Sequence, residues 1–181
     1  MMNRQKAMHL LRAIATISGE NTLVLVGSAT VLFRAKHIPA AMFNTNEIDV
    51  YAPDAADPDM FSDLIDGTIG RGSQFDRTYN YFGDGVSPNT ASMPSDWRDR
   101  ARPEPDIAPA GVEVIVPDIN DIALSNMAAW RDKDRDWLKA GVQSLILDPG
   151  AMAARLHLMP AASHLEELSR RMVIVAGYSS P

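Results

Sequence analysis

At 181 residues, 46% hydrophobic and 22% charged, the chain is long enough to bury a substantial core and is expected to form one domain. Its net charge of −6, from 17 basic and 23 acidic side chains, argues against general binding to a phosphate backbone but leaves room for a local basic pocket. Cysteine is absent, which excludes disulfides, thiolate nucleophiles and thiolate zinc sites and leaves oxygen and imidazole as ligands for any metal.

The apolar residues Ala7, Leu10, Leu11, Ile14 and Ile17 recur at helical spacing and predict an amphipathic helix over 3–18, ended by Gly19. His9 and Arg12 interrupt this segment and no small-residue cleavage site follows, so a signal peptide is not expected. Runs such as "LVLV" and "MVIVA" are far too short to cross a bilayer, and a cytoplasmic protein is expected. "TLVLV", residues 22–26, is rich in β-branched residues, is bounded by Asn21 and Gly27, and reads as a buried strand. A second helix is expected over 28–35 and a second strand at "EIDVY", residues 47–51. After the polar loop "PDAADPD", Met60, Phe61, Leu64 and Ile65 supply another helical stripe.

Residues 70–111 carry much of the Gly, Pro, Ser and Asn punctuation, with one strand expected at 78–82. A poorly periodic segment of this length inside a domain is characteristic of a functional flap. "GVEVIVPDIND" then gives a strand over 112–116 and a helix start at Pro117 and Asp118. From there the pattern is helical. The expected organisation is a single unit over 1–181, with an α/β core at about 20–117 and a helical layer at about 118–181.

Three features bear on chemistry. On a strand, Glu47 and Asp49 point the same way, roughly 7 Å apart, while Ile48 and Val50 face the opposite layer. Two carboxylates so placed can hold one hard cation such as magnesium, which takes one or two protein carboxylates and keeps waters and substrate phosphates; a solvated strand face gives the same alternation. Gly27 and Ser28, between a buried strand and a helix, allow close approach of an anion and offer it a hydroxyl, or serve only as turn and cap. Glu113, flanked by Val112 and Val114, needs a partner, a metal or water, and joins the other acids if its strand lies beside theirs. The four histidines lie far apart without ligand spacing and are assigned no role. Trp97 and Arg98 to Arg100 are expected to anchor the long loop.

The order Gly27-Ser28, then Glu47-Ile48-Asp49-Val50, then a hydrophobic strand with Glu113 resembles the DNA polymerase β type nucleotidyltransferase superfamily. The segment "DGTIGRGSQFDRTYNYFGDGVSPNTASMPSDWRDR" followed by "DINDIALSNMAAWRDKDRDWL" is similar to a little-characterised bacterial family of nucleotidyltransferase-like proteins. The chain departs from that pattern at Glu47, commonly Asp, and at Asn126, where the helical segment carries Lys; Arg131, Lys133 and Asp134 match. The resemblance implies an α/β fold with a small mixed β-sheet, flanking helices and a C-terminal helical layer. It further implies magnesium-dependent transfer of a nucleoside monophosphate from a nucleoside triphosphate to an acceptor hydroxyl on a protein, an RNA or a small molecule. Glu47 and Asp49 would hold magnesium, Gly27, Ser28 and Lys133 would bind the nucleotide, and Glu113 would complete the catalytic acids. The alternative it leaves open is a catalytically inactive binding protein, as one member of a toxin–antitoxin or phage-defence pair with an antitoxin partner.

Overall fold

The computed structural model describes residues 1–105, 107, 111–161 and 164–179. Helix α1 (Arg4–Ser18) starts at Asn3, whose side chain accepts the Lys6 N–H, and ends at Gly19 in the left-handed conformation with φ 70°. Strand β1 (Thr22–Val26) follows. The helix expected over 28–35 is divided: Ser28–Thr30 form a 3₁₀ turn and only Val31–Arg34 (α2) are α-helical. A second 3₁₀ turn, Ala40–Met42, leads into β2 (Glu47–Tyr51).

Helix α3 (Pro58–Ile69) begins at Asp57 with proline in its first turn. Its buried stripe is Phe61, Ile65 and Ile69; Met60 and Leu64, expected to share it, are exposed. The strand expected at 78–82 is instead the end of a short helix and the start of a later strand. Ser73 caps α4 (Gln74–Tyr79) by accepting the Asp76 N–H, and Phe75 and Tyr79 stack on each other and against His9. Strand β3 (Phe82–Gly85) comes after the left-handed Asn80. A 3₁₀ turn at Trp97–Asp99 and the short β4 (Arg102–Pro103) precede β5 (Glu113–Val116). The remaining chain forms α5 (Ile119–Ala129), α6 (Asp132–Gln143), α7 (Pro149–Arg155) and α8 (Leu165–Gly177).

The sheet is mixed, in the order β3-β2-β1-β5-β4: β1 runs antiparallel to β2 and parallel to β5, while β3 is parallel to β2. Strand alternation gives each face its own core. Leu23, Leu25, Ile48 and Val50 pack with Leu10, Leu11, Ile14, Phe61 and Ile65 of α1 and α3. Val24, Val26 and Tyr51 pack with Ile122, Met127, Trp137, Leu138 and Leu168 of the C-terminal helices. The Trp137 indole N–H donates to the Met42 carbonyl at 3.0 Å and ties α6 to the turn before β2.

Of Trp97 and Arg98 to Arg100, expected together to anchor the long loop, Arg100 ties the stretch ahead of β4 to α5. Arg100 donates to both Asp96 oxygens at 2.7 Å and to both oxygens of the fully buried Asp121 at 3.0 Å, where Arg155 also arrives at 3.0 Å. Among the described residues no helix is long and apolar enough to cross a membrane.

Candidate active site

Because Ile48 and Val50 are buried on the α1/α3 face, the alternation of β2 turns Glu47, Asp49 and Tyr51 toward the C-terminal helices. Tyr51 enters that core. The two acids stop short of it and line a cavity of about 340 Å³ between the sheet, the turn at Gly27–Ala29, and α5 and α6.

Asp49 pairs in register with Val26, the last residue of β1, so its side chain meets the turn that follows. Gly27 makes this approach possible. Its φ of 71° with ψ of −169° is a glycine conformation, and a Cβ there would overlap Asp49 Oδ2 and stand 3.1 Å from Asp49 Cγ. Ser28 follows at the start of the 3₁₀ turn and lines the same cavity.

The other flank of β2 brings an acid that the sequence did not single out. Asp84 of β3 lies opposite Asp49 in the parallel register, on the cavity side. Its neighbours Gly83 and Gly85 face α3, where a Cβ on residue 85 would lie 2.7 Å from Ser62 Cα. Ser62 Oγ donates to the Gly85 carbonyl, and the Gly85 N–H donates to Asp66 at 2.9 Å. "FGDG" is thus a strand that is glycine on the side where a helix presses and acidic on the side where the cavity opens. The available signals were its alternation and its place in the family-like "DGVSP" segment, but the stretch was read as part of the Gly- and Pro-punctuated loop.

Burial pushes the Asp49 carboxyl up to about 7, with Glu47 and Asp84 adding to the rise and Lys133 and Arg131 opposing it. Burial likewise raises Asp84, to about 6, with contributions from Asp66 and Glu47. Glu47 takes a different position. One of its oxygens receives Lys133 Nζ at 3.4 Å and the other Arg71 at 3.2 Å, so two exposed cations hold its longer arm at the cavity rim. Arg131, at the start of α6, also lines the cavity and is itself braced by the fully buried Asp134 at 2.7 Å.

Glu113 is not brought to this group. It pairs with Thr22, at the opposite end of β1 from the Val26–Asp49 pair, and is exposed. Four residues of strand rise and two strand spacings separate it from Asp49 by roughly 16 Å. Being on a neighbouring strand was not enough, because the register puts it at the wrong end.

Among the described residues no three His, Asp or Glu side chains gather into a ready-made metal cage. The donor set nevertheless fits a hard divalent cation. Magnesium takes one or two carboxylates and completes its shell with water and phosphate oxygens. Asp49 and Glu47 line the cavity from one strand, Asp84 lies opposite Asp49 and raises its proton affinity, and Gly27 is what lets the Asp49 carboxylate lie against the turn.

Residues 5–178 match a family model described as a nucleotidyltransferase of unknown function (DUF6036). No curated protein and no solved structure matches the chain.

Proposed function

The chain belongs to that family of nucleotidyltransferases, and from this premise we propose that it moves a nucleoside monophosphate from a nucleoside triphosphate to an acceptor hydroxyl with magnesium. The observation that carries the reading is the shared cavity: opposed Asp49 and Asp84 on one wall, the Gly27-Ser28 turn beside them, and the cations Arg131 and Lys133 at the start of α6.

Asp49 with Glu47 would hold the cation, which when bound would neutralise phosphate charge. Gly27 lets the triphosphate approach the backbone, and the Ser28 hydroxyl donates to a phosphate oxygen. Lys133 exchanges its contact with Glu47 for the triphosphate, which frees the Glu47 carboxylate. Asp84 is the acid we assign to accept the acceptor's hydroxyl proton, because burial and acidic neighbours keep its carboxyl basic. The acceptor oxygen then bonds to the α-phosphorus as the bond to the bridging oxygen breaks and pyrophosphate leaves. Glu113, at the far end of β1, has no part in this arrangement.

One observation favours a second reading, a nucleotide-binding protein without transfer: Glu47 is neutralised by Lys133 and Arg71 rather than converged on Asp49. Incubation of the protein with labelled nucleoside triphosphates, magnesium and cell extract separates the two. Label transfer that disappears in Asp49→Asn supports catalysis. Nucleotide binding without transfer supports the second reading, and neither binding nor transfer overturns both.

A further inference from the structure

One polar group in the cavity wall is unexplained by the fold. Asn126 sits on α5 with only 5% of its surface exposed, between the fully buried Leu124 and Met127. Its side chain lines the cavity, and its Nδ2 is buried with no hydrogen-bond partner among the described residues. A buried amide donor left unpaired is destabilising, so a residue of this kind at a cavity wall marks where a ligand acceptor completes the bond. An aliphatic residue would fill the same helical position without that cost.

The surroundings say which acceptor. Asn126, Arg131 and Lys133 line the cavity from α5 and α6, Asp49 and Asp84 line it from the sheet, and α5 packs against the turn that starts at Ser28. The helices thus contribute the donors and cations and the sheet the carboxylates, with Lys133 reaching Glu47 between them. An anionic tail belongs on the donor side, with a cation between it and the acids. Resting on the nucleotide reading above, we propose that Asn126 Nδ2 donates a hydrogen bond to a non-bridging phosphate oxygen of the nucleotide's triphosphate, making Asn126 a binding residue that recognises the tail rather than the nucleoside.

The test uses the full chain with magnesium, titrated calorimetrically with ATP and separately with inorganic tripolyphosphate. Asn126→Leu removes the donor at similar size and is expected to weaken both ligands about tenfold or more, the loss of one hydrogen bond to a charged group. Its ligand-free thermal midpoint should equal or exceed that of the unsubstituted protein, which a structural role for the amide would not permit. Asn126→Asp, nearly isosteric and anionic, should weaken both ligands further and stands in if the leucine variant fails to fold. Unchanged affinities in these variants, as expected if water satisfies the amide, overturn the proposal. So does weakened ATP binding with unchanged tripolyphosphate binding, which would assign the amide to the nucleoside. If the unsubstituted protein binds neither ligand, the nucleotide reading itself fails and this inference fails with it.

Discussion

Gly27 and Asp49 share one small volume: the carboxylate of Asp49 occupies the space that any side chain on residue 27 would need. The half-buried acid and the turn are therefore one device, and the backbone at Gly27, with positive φ and extended ψ, is open to glycine almost alone. Gly27→Ala is expected to destabilise the protein by about 1–3 kcal/mol through backbone strain and to turn Asp49 away. Urea unfolding measures the first effect and label transfer the second. A variant of unchanged stability would show that the turn relaxes freely.

The Asp49 carboxyl makes stability depend on pH in a defined direction. Its proton affinity in the folded protein, raised to about 7, exceeds the ordinary unfolded value near 4, so the folded state holds its proton longer. The neutral acid is accommodated at low pH. Stability is lost as pH rises from about 4 through about 7 and levels off above. Asp49→Asn stays neutral, so its stability relative to the unsubstituted protein should climb across that window, by roughly 2–4 kcal/mol at pH 8. Chemical denaturation at pH 4.5 and pH 8 reads the difference. The same difference at both values would mean the carboxyl is better hydrated than its surroundings imply.

Register puts Asp84 opposite Asp49 and Glu113 opposite Thr22, and the general-base role is accordingly proposed for Asp84. Asp84→Asn should lower label transfer by about 10²–10⁴-fold, the scale of a lost general base, with nucleotide affinity less affected. Glu113→Gln, altered at the far end of β1, should transfer at the unsubstituted rate. Comparable losses in both variants would refute the assignment.

Asp121 carries a structural charge balance away from the cavity. It is fully buried and receives Arg100 and Arg155, which join the loop before β4 to α5 and α7. Asp121→Ala leaves two guanidinium groups short of their buried partner and is expected to cost about 3–5 kcal/mol. Thermal unfolding gives the stability, and faster proteolysis within 94–105 would report the released loop.

Much of the scaffold was legible before folding. The helical spacing of Ala7, Leu10, Leu11 and Ile14, the β-branched run at 22–26 and the alternation of "EIDVY" are local patterns, and each became the expected element. The same alternation correctly put Glu47 and Asp49 on one face, and the Gly-Ser turn proved to adjoin Asp49. The stripe on α3 was read with the wrong phase, because four apolar residues in six leave the buried face undecided until a partner surface selects Phe61 and Ile65.

Chain order alone determined that a glycine turn, a strand with paired acids and a hydrophobic strand with Glu113 follow one another, since composition and period are local properties of the polypeptide. Only the tertiary structure decided which acids meet. Strand order and register are set by long-range pairing, and they put Asp84 opposite Asp49 while sending Glu113 to the other end of β1. Packing made the remaining choices: α3 pressing on β3 at Ser62 leaves no room for a side chain on Gly85 while Asp84 takes the cavity face, Lys133 and Arg71 hold Glu47 at the rim, and the burial of α5 leaves the Asn126 amide without a partner among the described residues.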